Sequence, residues 1–374
     1  MLRVAVAGAG AFGRNHLRVY HELETAGEGV ALAAAVEPDA ERAAAVEEKY
    51  GIPVFATVEE LLAADLRLDA ASVAVPTVHH ASVATELLEA GLDLLVEKPL
   101  AATLAEADAL VALAEKKKKI LQPGHLERFN PAVLAVQPKL RRPMFFEAHR
   151  LSVFTPRALD VDVVLDLMIH DLDIVLTFAG SAVREVRAVG LPILSPRVDI
   201  ANVRVEFESG CVANFTASRV STERVRKLRF FEPRQYVSID YARQDLLVIR
   251  LEGGVPAEIA AALAGGRVDP KLLAKLAASA GAAAGPASGP ASVPASGPGP
   301  GLKFAKLPVT PGEPLRLEIA AFLDAVRTRR EPAVTARQGR EALALALAIQ
   351  AEMAAHAERA GLRDFFESGM EAGA

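Results

Sequence analysis

The sequence predicts two domains, a doubly wound parallel α/β sheet followed by an α+β domain with a large, mostly antiparallel open sheet. Three observations support this fold class. The chain has 374 residues, which is more than one hydrophobic core usually accommodates. Short apolar runs alternate with helical stretches up to residue 122, and from residue 123 the apolar runs become longer and alternate with polar residues. We therefore assign residues 1–122 to the first domain and residues 123–374 to the second.

The first domain consists of strands and helices in turn. Its apolar runs lack polar alternation, as a parallel sheet covered on both faces requires. These runs are LRVAVAG, VALAAAV, ASVAVP, LDLLVEKP and KILQPG. The helices between them are expected at about 11–24, 39–49, 80–90 and 103–116.

The second domain is expected to contain one helix at about 161–178, which precedes most of the alternating strands. Such strands are typical of an antiparallel sheet with one face on a core. A flexible insertion is expected at about 260–301, because residues 279–301 are Ala, Gly, Pro and Ser with one Val. A strand-like run, LKFAKLPV, follows it, and helices at roughly 315–329 and 337–360 complete the prediction.

The composition argues against several classes of partner. The formal net charge of -5 gives no reason to expect nucleic acid or an anionic membrane as partner. No apolar run reaches the roughly 18 residues that a membrane-spanning helix needs. The chain has one cysteine, Cys211, and opens directly into a short strand rather than a secretory leader. A cytoplasmic enzyme is expected, with Cys211 as a buried apolar residue rather than a nucleophile.

A glycine-rich loop follows the first strand. Gly8, Gly10 and Gly13 have the G-x-G-x-x-G spacing of a Rossmann dinucleotide site, and the loop also contains Ala11 and Phe12. The second strand ends in Glu37, whose carboxylate would accept hydrogen bonds from an adenosine ribose and repel a 2′-phosphate. This favours NAD over NADP. Glu37 could instead only begin a turn, and Arg42 lies near enough to complicate the preference.

Polar residues and prolines follow the strands predicted at ASVAVP and LDLLVEKP. In an open parallel sheet, ligands bind beyond the carboxyl ends of the strands. We therefore expect six residues on the cofactor side of the sheet, namely Pro76, Thr77, His80, Glu97, Lys98 and Pro99. Lys98 could instead be a surface lysine paired with Glu97, but its position beside a nicotinamide favours a functional role. We also expect a cis peptide bond between Lys98 and Pro99.

The helix in DVVLDLMIHDLDIVL contains Asp166, His170 and Asp173 at spacings that share one face. A carboxylate one turn from an imidazole can fix its tautomer and raise its basicity, which makes a proton acceptor for a hydroxyl. The same residues could form a structural ion pair. We expect no metal here, because no cysteine or second histidine lies nearby in the sequence to complete a ligand set.

Together these motifs resemble the Gfo/Idh/MocA family of oxidoreductases. The resemblance rests on the glycine loop, PTVHH at 76–80, EKP at 97–99 and DLMIHDLD at 166–173, and it covers nearly the whole chain. It implies a nicotinamide enzyme that oxidises a ring hydroxyl of a sugar or cyclitol to a ketone. It also implies that His170 is the principal acid/base, that Lys98 assists proton transfer and that Asp166 helps to hold the substrate. A homo-oligomer, dimer or tetramer, formed through the open sheet face is implied as well.

Residues 124–133 and 217–241 resemble the subgroup that oxidises UDP-N-acetylglucosamine at C3, before transamination in lipid A biosynthesis. Arginines could fix the diphosphate of such a substrate, although an ordinary solvated sheet face would also explain them. The predicted substrate contacts are Arg128, Asn130, Asp173, Arg219, Arg224 and Arg226, with Arg229 in the same stretch. The alternatives are a dehydrogenase of a free sugar or cyclitol and a non-catalytic dinucleotide-binding regulator.

Overall fold

A computed structural model describes residues 1–155, 161–251 and 302–362. The expected flexible insertion at about 260–301 lies outside the described residues.

The first sheet is parallel throughout and has six strands in the order β3-β2-β1-β4-β5-β6, the order of a Rossmann sheet. Its strands are β1 Leu2–Ala7, β2 Val30–Val36, β3 Val54–Phe55, β4 Ala70–Val73, β5 Asp93–Glu97 and β6 Leu121–Gly124. The helices are α1 Gly13–Thr25, α2 Ala40–Tyr50, α3 Val58–Ala63, α4 His80–Glu89 and α5 Leu104–Lys117. The helices predicted from the sequence agree with these bounds to within about two residues.

Local sequence signals fix where these helices begin and end. Asp39 caps α2 by accepting a hydrogen bond from the backbone N–H of Arg42. Thr103 and Glu106 form a reciprocal capping box at the start of α5. Gly51 ends α2 in the left-handed conformation that glycine adopts without strain. The ends of β2 and β5, where the predicted site residues lie, are thereby held in place.

The second sheet has eight strands in the order β14-β13-β12-β11-β7-β10-β9-β8. The β7–β10 pair is parallel and the remaining pairs are antiparallel. Its strands are β7 Phe145–Leu151, β8 Val183–Leu191, β9 Ile200–Phe207, β10 Val212–Ser218, β11 Val225–Glu232, β12 Gln235–Asp240, β13 Asp245–Leu251 and β14 Leu302–Leu307. The remaining helices are α6 Pro131–Val136, α7 Ile169–Ala179, α8 Pro314–Thr328 and α9 Ala336–Arg359. The predicted fold class is confirmed.

One face of the second sheet is buried beneath α6, α7 and α9. Strand burial alternates as predicted, so Phe146, Phe215 and Phe230 are fully buried with Ile174 and Ile349. The residues at the alternate positions of each strand lie on the other face, and their aromatic rings are half-buried. Cys211 is buried, as expected for an apolar filler.

The predicted linear division at residues 122 and 123 needs correction in two places. It falls inside β6, which pairs with β5 as far as Gly124. In addition, α8 packs on the first domain, where Ile319 and Phe322 share a core with Val4 and Tyr20. The chain therefore returns to the first domain after building the second sheet.

Helix α9 contacts both domains. Leu343 belongs to the core of the first domain, whereas Ile349 and Met353 belong to the core of the second. Arg337 and Arg340 add ion pairs with two acidic residues of α5. No helix among the described residues is long and apolar enough to cross a membrane.

We predict that Phe230→Ala lowers the free energy of unfolding by about 3–5 kcal/mol, because it leaves a cavity in the second core. Phe231→Ala is the matched control, since the neighbouring ring is only half-buried on the opposite face. Urea denaturation of both variants measures the difference. Equal losses would contradict the assignment of the buried face.

Candidate active site

The glycine loop has the shape that a dinucleotide requires. Gly8 has φ +94°, and a Cβ there would lie 2.7 Å from the carbonyl oxygen of Ala74. A Cβ on Gly13 would lie 1.9 Å from the carbonyl oxygen of Gly8, so α1 can begin against the loop only with glycine. Gly10 meets nothing within 4 Å, which leaves open space beside its backbone. This space fits the close approach of a pyrophosphate to the helix start.

A cavity of about 670 Å³ lies at the carboxyl end of β2 beside this loop. Glu37, at its wall, accepts hydrogen bonds from the backbone N–H of Ala9 at 2.8 Å and of Asp39 at 3.0 Å, and from Arg42 Nη2 at 2.8 Å. Burial would raise the pKa of Glu37, but these hydrogen bonds outweigh it and hold the pKa below its ordinary value. Glu37 is therefore an ionised group at the position expected for an adenosine ribose.

A second cavity of about 670 Å³ adjoins the first, and the two share Ala74, Val75 and Pro76. Residues of both domains line it. The predicted residues among them are Phe12, Pro76, Thr77, His80, Glu97, Lys98, Pro99, Asp166, His170 and Arg226. A dinucleotide can thus extend from the ribose site at Glu37 into the space between Lys98 and His170. We call this second cavity the catalytic pocket.

Lys98 joins the two domains at the floor of the catalytic pocket. Its Nζ donates a hydrogen bond to the backbone carbonyl of Asp166 at 2.8 Å and lies 3.8 Å from Oδ1 of the same residue. Burial lowers the pKa of Lys98, while the charges of Asp166 and Glu97 oppose that effect. The Lys98–Pro99 bond is cis, so that expectation is confirmed.

The Glu97 carboxylate pairs with His16 and not with the Lys98 ammonium, which was the alternative for Lys98. Its Oε1 lies 2.9 Å from His16 Nε2, and His16 Nδ1 lies 3.2 Å from the hydroxyl of Ser72. Tyr20 completes this buried chain at 2.8 Å from Ser72. Among the described contacts of the Glu97 carboxylate, Lys98 contributes its backbone N–H, at 3.3 Å, rather than its ammonium group. The Glu97 carboxylate therefore fastens the strand end to α1.

His80 lines the catalytic pocket and is otherwise buried. Its Nδ1 lies 2.8 Å from the carbonyl oxygen of Pro99, and its Nε2 lies 2.9 Å from that of Val75. Each ring nitrogen therefore faces a backbone carbonyl, and a neutral ring donates a hydrogen bond to one of the two. His80 shapes the two strand ends that face the cofactor.

A π-helical turn, Val164–Met168, precedes α7 and carries Asp166. Such turns have a wider hydrogen-bond spacing than an α-helix and are frequent at functional sites. No hydrogen bond joins Asp166 to His170 among the described residues, so the expected orientation of the imidazole by this carboxylate is not seen. The carboxylate lies near Lys98 instead.

His170 is a neutral base at ordinary pH. Burial and the positive charges of Lys98, Arg150 and Arg226 hold its pKa well below the usual 6.5. Its Nδ1 is buried and has no hydrogen-bond partner among the described residues. Because His170 lines the catalytic pocket, Nε2 is the nitrogen that can face a substrate.

Three predicted substrate contacts lie inside the protein instead of in the catalytic pocket. Asp173 is 2% exposed and lies 3.5 Å from Arg128, which also donates to the hydroxyl of Thr177. Asn130 caps α6 and donates to the carbonyl of Tyr241 at 3.0 Å. The sequence spacing did not reveal these partners. We therefore do not assign Arg128, Asn130 and Asp173 to substrate.

Four of the arginines in residues 217–241 lie in different places in the structure. Arg219 is buried 3.3 Å from Asp199, Arg224 is exposed just before β11, and Arg229 faces the other side of the sheet, 3.7 Å from Glu147. Arg226 alone of these four lines the catalytic pocket. Its Nε is buried and has no hydrogen-bond partner among the described residues.

A buried network near His170 was missed in the sequence. Arg150 donates to Asp171 from Nε at 2.7 Å and from Nη2 at 3.1 Å, and to Glu127 at 3.0 Å. Its guanidinium also lies 5.2 Å from the ring centre of Tyr241. The sequence did contain one signal of this network. Arg150 occupies an inward position of β7, and the other inward residues of that strand, Phe146 and Ala148, are apolar.

Within the described part of the chain, no group of three or more histidine, cysteine, aspartate or glutamate residues could hold a metal ion.

Two sequence models match the chain. One, described as an oxidoreductase family with an NAD-binding Rossmann fold, matches residues 2–125, and a GFO/IDH/MocA C-terminal domain matches residues 133–234. A UDP-N-acetylglucosamine 3-dehydrogenase from Acidithiobacillus ferrooxidans is 38% identical over 257 residues, or 68% of this chain and 79% of that protein. The chain belongs to the Gfo/Idh/MocA family. The resemblance inferred from its motifs is confirmed, and its first domain is an NAD-binding domain.

Further comparisons agree with this membership of the Gfo/Idh/MocA family. The solved structure of the UDP-N-acetylglucosamine 3-dehydrogenase GnnA from Acidithiobacillus ferrooxidans has a TM-score of 0.77 and 32% identity, covering 95% of this chain and 98% of that one. An inositol 2-dehydrogenase from Corynebacterium glutamicum is 33% identical over 199 residues, which are 49% of this chain and 55% of that protein.

We predict that Gly10→Ala leaves the melting temperature unchanged but weakens NAD binding at least tenfold, because its Cβ enters the space that the pyrophosphate needs. Gly13→Ala is the contrasting variant, since its Cβ would collide with the loop and lower the melting temperature as well. Calorimetric NAD titration and thermal melts measure both effects. Unchanged NAD affinity in Gly10→Ala would contradict the proposed path of the pyrophosphate.

Proposed function

We propose that this protein is an NAD-dependent dehydrogenase that oxidises the C3 hydroxyl of UDP-N-acetylglucosamine to a ketone. The observation that carries the reaction type is the catalytic pocket, where Lys98 from one domain meets Asp166 and His170 from the other beside the cofactor loop. The substrate rests on the similarity to the UDP-N-acetylglucosamine 3-dehydrogenases.

Three residues of the catalytic pocket have separate roles in the transfer of the hydroxyl proton. A nicotinamide, when bound, supplies the hydride acceptor. Neutral His170 accepts the hydroxyl proton through Nε2, because its depressed pKa leaves the imidazole unprotonated at ordinary pH. The Lys98 ammonium stabilises negative charge on the substrate oxygen. The carbonyl and carboxylate of Asp166 hold the Lys98 ammonium in position.

Arg226 is the residue that we propose for the diphosphate of the substrate. It lines the catalytic pocket and its Nε has no partner among the described residues, whereas Arg150 is committed to Asp171 and Glu127. A guanidinium can bind a phosphate with two parallel hydrogen bonds. Arg224, exposed before β11 and two residues from Arg226, would supply a second cation for the diphosphate.

A dehydrogenase of a free sugar or cyclitol is the second candidate. It is favoured by the inositol 2-dehydrogenase relative, which shares 33% identity over 199 residues. Such substrates carry no diphosphate, so they would leave Arg226 without a ligand.

We also propose that the protein acts as a cytoplasmic homo-oligomer and that its 3-keto product is a substrate for transamination in lipid A biosynthesis. Support for the oligomer comes from the outer face of the second sheet. There the ring of Phe231 lies 5.5 Å from that of Phe145 and 5.2 Å from that of Tyr236. Half-buried aromatic rings of this kind are common at protein interfaces.

A substrate panel tests the proposed function. Purified protein is incubated with NAD or NADP and with UDP-N-acetylglucosamine, N-acetylglucosamine or myo-inositol, and the products are identified by mass spectrometry. We expect reduced cofactor and a 3-keto nucleotide sugar from UDP-N-acetylglucosamine with NAD. Turnover of myo-inositol alone would establish the second candidate instead.

We predict that Lys98→Met lowers turnover at least about a hundredfold while NAD still binds, because the ammonium acts on the substrate oxygen. Lys116→Met is the control, since Lys116 is exposed at the end of α5. NADH absorbance and calorimetric NAD titration measure the two properties. Retained turnover in Lys98→Met would remove this residue from the mechanism.

We predict that kcat/KM for oxidation stays near its plateau at pH 6.5 and falls only at lower pH. The reason is that the pKa of His170 lies well below 6.5, so protonation inactivates the base only in more acid solution. A pH profile measures this, and His170→Gln should abolish the acid limb along with most of the activity. Half-maximal activity at pH 6.5 or above would contradict the assignment.

A further inference from the structure

The cavity at the end of β2 contains an ion pair, Glu37 with Arg42, at the position expected for the adenosine ribose. Both side chains line the cavity, and they lie 2.8 Å apart from Glu37 Oε1 to Arg42 Nη2. Glu37 is 4% exposed on its side chain, whereas Arg42 is 49% exposed. A buried acid and an accessible base thus meet where NAD and NADP differ in structure.

Hydrogen bonds hold the Glu37 carboxylate in place and fill most of its acceptor positions. A carboxylate offers about four acceptor positions, and three are filled by Ala9, Asp39 and Arg42. The remaining position suits one ribose hydroxyl. Because two of the donors are backbone N–H groups, the carboxylate cannot turn away from a 2′-phosphate. An ionised Glu37 would therefore repel that phosphate at close range.

Arg42 is held at its base, and hydrogen bonds engage its guanidinium only in part. Its backbone N–H is fixed by Asp39 at the start of α2, and of the five N–H donors on its side chain the described hydrogen bonds use one, to Glu37. Nη1 lies 3.8 Å from Asp39, which is too far for a hydrogen bond. The guanidinium therefore keeps donors that could bind a phosphate in a bidentate manner.

Arg42 is also the one permanently charged cation among the described residues that line this cavity, and the other charged groups there are carboxylates. These are Glu37, Glu59 and Glu86. Glu59 and Glu86 are exposed, so solvent screens them, whereas Glu37 is buried against Arg42. Glu37 is thus the carboxylate whose charge acts most strongly on this guanidinium.

We propose that Arg42 is a binding site for an adenosine 2′-phosphate that Glu37 masks, so that the pair, rather than Glu37 alone, sets the preference for NAD over NADP. In the native protein the Glu37 carboxylate occupies the guanidinium and repels the phosphate. When that carboxylate is removed, Arg42 receives the phosphate. The inference concerns the NAD-binding domain and does not depend on the identity of the sugar substrate.

Binding of two adenosine probes to the full-length protein tests the inference without catalysis. The probes are adenosine 2′,5′-bisphosphate and adenosine 5′-monophosphate, which differ by the 2′-phosphate, and isothermal titration measures their affinities. Glu37→Gln removes the charge and keeps one acceptor oxygen, which can serve either Ala9, now bound to Oε2, or Asp39, now bound to Oε1. We expect it to improve the affinity for the bisphosphate relative to the monophosphate by about tenfold to a hundredfold, the effect of one charge-assisted hydrogen bond.

Three further variants complete the test. Glu37→Gln combined with Arg42→Gln should lose the gain, because no guanidinium remains to receive the phosphate. Glu41→Gln is the matched control, since it removes a neighbouring exposed carboxylate that does not line the cavity, and its affinity ratio should equal that of the native protein. Glu37→Ser with thermal melts provides a second variant in case Glu37→Gln is poorly folded.

The outcomes separate the possibilities. A native affinity ratio in folded Glu37→Gln and Glu37→Ser, or a gain that persists in the double variant, would overturn the inference. A gain of equal size in Glu41→Gln would also overturn it. The affinity ratio would then depend on the total negative charge around the cavity and not on Glu37 itself. Failure here leaves the sugar-oxidation proposal standing, and failure of the substrate panel leaves this inference standing.

Discussion

The contact between Lys98 and the π-helical turn is the interaction on which the catalytic pocket depends. Lys98 directly follows β5 of the first domain, and the carbonyl that accepts the hydrogen bond from its ammonium group belongs to Asp166 of the second domain. An ammonium removed from water needs such acceptors, because an unpartnered buried charge is strongly unfavourable. The contact therefore holds the Lys98 ammonium against the turn that precedes His170. A substrate that enters the pocket meets a cation and a base that are already arranged.

The two arginines near His170 differ in how far neighbouring carboxylates balance their charge. Arg150 is buried with Asp171 and Glu127, so its charge is balanced and its side chain immobilised. Arg226 has weaker compensation, and burial lowers its pKa. The imidazole consequently lies among cations that disfavour a positive charge on it. A base in such surroundings gives up a proton readily, which suits an enzyme that must return to its starting state after each oxidation.

The sequence predicted the parts of the site that local geometry determines. Gly8, Glu37 and Lys98 follow buried strands, and the ends of parallel strands meet at one edge of a sheet. The failures have a common cause in tertiary contacts. Arg128 and Asn130 were expected at substrate, but Thr177 and Tyr241 are their partners, and these residues are distant in sequence. The π-helical turn likewise replaced the α-helical spacing that placed Asp166 against His170. A polar residue in a motif does not by itself indicate whether it faces a ligand or the core.

Helix α9 has a mechanical consequence for the pocket. Leu343 is buried in the first domain and Met353 in the second, so one continuous helix is packed into the cores of both domains. Rotating one domain against the other would pull apolar side chains of this helix out of a core, at a cost of several buried side chains. The two halves of the pocket therefore behave as one rigid frame. An opening of the whole molecule for the entry or departure of a sugar would therefore have to break these contacts of α9.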